Sequence, residues 1–425
     1  MASVNAFLGG AKGRLLPAAL VFRFFASAVL FQALAWVALF LAAPALPGFA
    51  GGLGWPLAAL HLVTLGVLVM TAIATSLQLL PVASRQAVAA NQWPYDLVWG
   101  LLNVGVIILA SAMAWLLPIL LWLGALAVTL ALLLYLFLLA RNLRGAKGMR
   151  LVIVHCWAAG LSLLVLVSTG LSLASAYSAA PLLDRQTAIT LHITFGGYGF
   201  MGMLVMGFSY ILVPMFALSD NPPARWSNLS VTLAIVALTL ALLTAVGVLP
   251  ARLFALAIGS GALAFVIHVA LMLQALHNGM RQRLGQSFVL VRIGWVALAA
   301  SFAVALAPEA QIMAPYGPTV FGVLLVGGLL TLLLGVLSRI VPFLASMHAG
   351  AGMRRAPTPS GLTAQRPLDI HFYSHIAALI LLLVALASDS VWLIRVSALI
   401  GLVGAVAFGI FFATAWRRMT PTRQV

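Results

Sequence analysis

The sequence predicts an all-α integral membrane protein whose twelve transmembrane helices form three pseudo-symmetric groups of four. Composition is the first reason. Of 425 residues 64% are hydrophobic and 7% charged, with a mean hydropathy of +1.17; soluble domains carry about a quarter charged residues. Length is the second, because apolar runs of about 20 residues, enough to cross a bilayer, recur near 16–44, 57–82, 95–116, 118–140, 151–176, 188–216, 227–249, 251–275, 287–307, 318–344, 370–388 and 390–416. The third is an internal repeat with a period of four spans.

The spans follow in order from the amino terminus. Lys12 and Arg14 lead into a first run too long for the apolar core of a cleavable signal, so it reads as a membrane anchor. The pairs around 116–118 and 388–390 are separated on length alone, each with a very short turn. Under twelve spans, Lys12, Arg14, Arg85, Arg141, Arg144, Lys147, Arg150, Arg225, Arg281, Arg283, Arg354, Arg355, Arg366, Arg417, Arg418 and Arg423 fall on one side, against Arg185 and Arg252 on the other. Basic residues gather on the cytoplasmic side. Both termini are therefore expected in the cytoplasm, with the chain in a bacterial cytoplasmic membrane and the lipid bilayer as its first partner. The formal net charge of +16 is spent on this asymmetry, so no nucleic-acid partner is expected. The longest connection, "SMHAGAGMRRAPTPSGLTAQRPLD", is a Gly/Pro/Ser-rich basic loop expected to lack strong structure.

The repeat is read from two independent matches. "ATSLQLLPV", "GFSYILVPM" and "GVLSRIVPF" place Pro81, Pro214 and Pro342 at the ends of the second, sixth and tenth spans, each seven residues after a small residue: Ala74, Gly207 and Gly335. "LVFRFF", "VIVHCW" and "VLVRIG" place Arg23, His155 and Arg292 at one position in the first span of each group. Proline at a helix exit is common, but two sets of matches in phase are harder to produce by accident. The units run roughly 14–141, 150–277 and 285–418 within one transmembrane domain, with the second, sixth and tenth spans expected to line its interior.

Twelve spans in three groups of four resemble the main subunit of the haem–copper oxidase superfamily. In that family the second helix of a group carries metal chemistry, and here "LHLVTLGVLVMTAIATSLQLLPV" and "LHITFGGYGFMG" put His61 and His192 near the non-cytoplasmic ends of the second and sixth spans. The resemblance implies a haem ligand at the first and a copper ligand at the second. The departures are as informative. The tenth span contains no histidine and the seventh lacks the family's adjacent histidine pair, so an oxygen-reducing centre has no ligand set. The chain compares best with degenerate, histidine-bearing members associated with nitric oxide stress and denitrification. This implies a redox or gas-linked electron-transport role, with a redox protein or a quinone as partner.

At helical spacing His192 shares a face with Phe195, Gly196, Gly199 and Met203. Two readings stand for that face. It is either a smooth groove in which a porphyrin lies, giving a bis-histidine haem b between His61 and His192, or a small-residue surface for helix packing. His371 and His375, four apart in "LDIHFYSHIAAL", have metal-chelating spacing that suits copper or a second haem; the alternative is a pair of interfacial histidines touching headgroups or loops. Arg23 and Arg292 are expected to snorkel. Arg339 and Arg395 are candidate anion partners, Asp389 is a candidate ion partner for Arg395, and His277 is expected in solvent. Cys156, the one cysteine, reads as a small core residue. Against the haem reading stand a small-solute or metal transporter and a cofactor-free accessory subunit. No acid lies in mid-membrane, and transporters more often carry two-fold or inverted repeats.

Overall fold

Apolar runs of this length can satisfy their backbone groups within a bilayer only by forming helices, and the computed structural model of the protein has twelve of them among its described residues. It describes residues 14–87, 91–177, 183–281, 283–307, 317–349 and 357–420; Lys12, Arg354, Arg355 and Arg423 of the charge pattern lie outside the described residues. The spans are α1 (Ala18–Ala45), α2 (Trp55–Ser84), α3 (Trp93–Trp115), α4 (Pro118–Arg144), α5 (Arg150–Ser175), α6 (Arg185–Ala217), α7 (Ala224–Ala245), α8 (Ala251–His277), α9 (Gln286–Leu306), α10 (Gly317–Ala349), α11 (Gln365–Ala387) and α12 (Val391–Met419). No strand occurs among the described residues.

Boundaries have local causes. Leu116 (φ 54°) and Asp389 (φ 52°) adopt left-handed conformations, which reverse the chain within three residues at the two shortest turns. Pro118 then sits in the first turn of α4, where a missing N–H costs nothing. Asp184 caps α6 by accepting the Thr187 N–H at 3.0 Å, and that bond also lowers the carboxyl's pKa. In the long loop after α10, a one-turn helix, Pro359–Leu362, is capped by Thr358.

Helices adjacent in sequence pack together, and α4 meets α5, α8 meets α9 and α12 meets α1, so the chain runs round a closed ring. The most apolar windows of α2, α6 and α10 are 67%, 83% and 56% buried, against 33–50% for the other nine spans. These three are the interior helices, as the in-phase prolines led one to expect. The small residues ahead of the prolines admit neighbours: a Cβ on Gly207 would lie 2.7 Å from His155 Cβ of α5, and one on Gly335 would lie 2.5 Å from the Ser287 carbonyl oxygen of α9.

The main irregularity has no signature in the sequence. All three interior helices widen into π-helix, at Leu62–Val69, Thr194–Gly202 and Val323–Gly327, before returning to α-helix ahead of the proline. Such turns are rare and cluster at functional sites. Beyond them, towards the prolines, nearly every residue is buried; on the other side, around His61, His192 and Val320–Leu324, many side chains are half-exposed. Three interior helices thus enclose a packed floor and part to form a cleft.

The cations within the spans are largely tethered. Arg23 does not simply snorkel: its guanidinium lies 2.5 Å from the Asp96 carboxylate of α3 and 5.0 Å from the Trp99 ring. Arg339 donates to the Ser287 hydroxyl at 2.8 Å and to the Leu284 carbonyl, tying α10 to the start of α9. Arg395 lies over the Phe40 ring at 5.5 Å, and among the described residues the ion pair with Asp389 is not formed. Arg292 and His277 are exposed and Cys156 is buried.

Candidate haem or metal site

His61 and His192 face each other across the cleft. Their ring centres are 6.4 Å apart and their planes 28° from parallel. Two imidazoles bound to opposite sides of one ion, each through a bond of about 2 Å, place their ring centres roughly 6 Å apart. The spacing therefore fits a shared ion.

Hydrogen bonds set the tautomers. His61 Nδ1 lies 3.0 Å from the Leu57 carbonyl oxygen, which can only accept, so Nδ1 carries the proton and the Nε2 lone pair is left for a ligand. His192 Nδ1 lies 3.4 Å from the Thr169 hydroxyl, which itself donates to the Val165 carbonyl at 2.8 Å. Thr169 must then accept from Nδ1–H, and Nε2 is again the free base. Orienting partners of this kind accompany metal-ligating histidines. Gly170 completes the seat, since a Cβ there would come within 3.2 Å of His192 Cε1. Neither Thr169 nor Gly170 was singled out from sequence; "VSTGLS" on a neighbouring helix offers no local signal.

The groove predicted beside His192 requires correction. Gly196 and Gly199 do not line an open wall: a Cβ on Gly196 would meet Leu166 at 3.1 Å, and one on Gly199 would meet the Ser162 side chain at 2.7 Å, both on α5. Met203 is buried in the core at 1% exposure. The physical reason is the π segment, which spans residues 194–202 and turns these residues away from the face that 3.6-residue periodicity assigns them. On α10, a Cβ on Gly322 would meet nothing within 4 Å.

The interior helices carry His61 twenty residues before Pro81 and His192 22 residues before Pro214. The two histidines are thus nearly, not strictly, equivalent, and Gly322 occupies the His61 position of α10. As expected, no histidine from α10 or α7 enters the cleft.

Two further imidazole groups are buried. His371 and His375 are each 1% exposed, enclosed by α10 and α12, which overturns their reading as interfacial contacts: the first turns of α11 are covered by neighbouring helices. On the other side of the ring, the Tyr210 ring lies between His155 and His268, with centres at 5.7 and 5.1 Å. Among the described residues His155 Nε2, Tyr210 Oη and both His268 nitrogens lack hydrogen-bond partners, although the Ser227 and Ser230 hydroxyls stand close to the phenol. Tyr210 went unnoticed in the sequence because a tyrosine four residues before a helix-ending proline resembles any other core aromatic.

A cavity of about 420 Å³ lies elsewhere, beside Pro81 between α2, α3 and α4, with Gln86, Arg141 and Asn142 at its rim. The gap on the central axis is only about 60 Å³ and is lined mainly by Ala72, Met201, Leu204, Phe208, Leu332 and Val336. Compared with protein-family models and with curated proteins, the chain matches none.

Proposed function

We propose that the protein is a haem-binding membrane protein in which His61 and His192 supply the two axial ligands of one haem b, giving it a redox or nitric oxide/oxygen-linked role. One observation carries the reading: two imidazoles 6.4 Å apart, each with Nδ1 engaged and Nε2 free. The half-exposed side chains around His61, His192 and residues 320–324 leave a flat macrocycle somewhere to lie between α2, α6 and α10. When bound, haem supplies one-electron chemistry, its potential governed by axial ligands and burial. The ring of helices closed between α12 and α1, with the π segment recurring in α2, α6 and α10, supports three units of four and a distant relation to the haem–copper oxidases. The basic-residue asymmetry supports a bacterial cytoplasmic membrane with both termini inside, a redox protein or quinone acting as electron partner.

The transporter reading is disfavoured by the core itself. A solute path needs polar groups near the midplane, whereas the axial gap is small and lined mainly by apolar side chains. Absorption spectroscopy of detergent-purified protein, with metal analysis, is the test. A six-coordinate low-spin haem gives a Soret band and a sharp alpha band on reduction; iron-free, colourless protein from haem-replete cells would end the proposal. A second expectation concerns turnover. With a reductant supplied, the purified chain should show no rapid oxygen consumption in an oxygen-electrode assay, because no third or fourth histidine reaches the cleft. Sustained consumption would show that the missing ligand set is not needed.

A further inference from the structure

A second site is built between α10, α11 and α12. His371 and His375 stand one turn apart on α11, ring centres 5.6 Å apart and planes 23° from parallel, and helical geometry alone brings residues at this spacing together. Their remaining contacts fix which nitrogen is free on each. His371 Nδ1 lies 3.0 Å from the Gly404 carbonyl oxygen of α12; the carbonyl accepts, so Nδ1 is protonated and Nε2 bears the lone pair. His375 Nε2 lies 2.9 Å from the Thr331 hydroxyl of α10, which already donates to the Gly327 carbonyl at 2.7 Å. Thr331 therefore accepts from Nε2–H, leaving the lone pair on Nδ1. These two atoms, His371 Nε2 and His375 Nδ1, are buried and have no hydrogen-bond partner among the described residues.

Two unpaired nitrogens on neighbouring rings held in an apolar enclosure, with no proton donor supplied, are costly in protein interiors. An electron-pair acceptor removes that cost, and the surroundings restrict which one. Among the described residues no carboxylate, thiolate or third imidazole joins the pair; the Phe408 ring lies 4.7 Å from His371. Zinc in structural sites takes four ligands, and a doubly charged ion with two neutral ligands would be badly compensated in this environment. Copper(I) has one positive charge, is satisfied by two imidazoles and favours soft or nitrogen donors. The ring spacing suits it, because bonds of about 2 Å keep two imidazoles on one ion within roughly 6 Å, centre to centre.

We propose that His371 and His375 form a two-coordinate copper(I) site, with the Gly404 carbonyl and the Thr331 hydroxyl fixing the ligand tautomers. Binding displaces no proton and transfers no electron, since both imidazoles are already neutral at the ligating atoms. The site stands independently of the haem between α2 and α6.

The test uses the full chain in detergent, supplied anaerobically with copper(I) under a reductant, then desalted and challenged with a copper(I) chelator. One copper per chain is expected to survive, with X-ray absorption reporting two nitrogen neighbours at about 2 Å. The double substitution His371→Gln and His375→Gln should abolish retention. Thr331→Val, which removes the acceptor that orients His375 while keeping size, should weaken it by about 10–100-fold. Elution volume and thermal stability establish that each variant is folded, and His277→Ala, at an exposed histidine outside both sites, serves as the control that leaves copper retention unchanged. The proposal is overturned by no retained copper, by copper retained equally in a folded glutamine variant, or by zinc binding in preference to copper(I).

Discussion

Replacing His61 by alanine is expected to remove the low-spin haem spectrum, and replacing His192 is expected to do the same. In the proposed bis-histidine site each imidazole supplies one of two axial bonds, so its loss leaves a five-coordinate high-spin iron or no haem at all. The sharp alpha band of the reduced protein should vanish, and haem retained through gel filtration should fall by at least about 10-fold. Thr169→Val gives a graded version. It deletes the acceptor 3.4 Å from His192 Nδ1 without touching the ligand, so the ring can rotate or change tautomer. About a 10-fold weaker haem affinity is expected, with the low-spin spectrum kept at saturating haem. A structural role for Thr169 alone would lower stability without altering affinity, so the two readouts separate positioning from packing. If the alanine variants of both histidines kept a full complement of low-spin haem, the iron would have to be held elsewhere, and the His155–Tyr210–His268 group would be the next place to look.

The parts of this architecture visible in the sequence are those encoded locally. Hydropathy runs and lysine and arginine placement mark each span without reference to any other, and the helices lie within a few residues of those runs. The repeat of Pro81, Pro214 and Pro342 also speaks for itself, because proline is positioned by its own chemistry. It led to the three most buried helices. His61 and His192 were visible for the same reason, as rare polar residues at similar distances from those prolines.

What stayed hidden depends on contacts between distant segments, or on a departure from regular geometry. Thr169, Gly404 and Thr331 matter because of the nitrogen each one faces, and nothing in their own neighbourhoods distinguishes them from other small membrane residues. Burial of His371 and His375 follows from the cover provided by α10 and α12, which the amphipathic start of α11 does not announce. The π segments are the deepest omission. An apolar run reads the same whether its turns hold 3.6 residues or more, so every face assignment downstream of His192 was rotated, and glycines meant for a cofactor turned out to face α5.

Gly199 separates the two explanations of those glycines. With the π turn in place, a Cβ at 199 would lie 2.7 Å from Ser162 Oγ and 2.8 Å from Ser162 Cβ, closer than side chains pack without something moving. Ser162 is itself only 2% exposed, so its side chain has little room to yield, and Gly199→Ala should cost about 1–3 kcal/mol by overpacking, with Gly199→Leu costing more. The strain falls on the contact between α5 and α6, where Thr169 and Gly170 hold His192. Haem affinity should therefore drop as a secondary effect of the shifted helices. Paired replacement settles the cause: Ser162→Gly opens the space that the new methyl needs, so the Gly199→Ala/Ser162→Gly double variant should recover most of the stability and haem lost by Gly199→Ala alone, a coupling of the size seen for side chains in contact. Were Gly199 a wall of the haem pocket, trimming Ser162 on the far side of α6 would restore nothing, and the double variant would bind haem as poorly as the single one. Thermal unfolding followed by the Soret band, beside haem titration of the same four proteins, reads both quantities and distinguishes a glycine that seats a helix from one that seats a porphyrin.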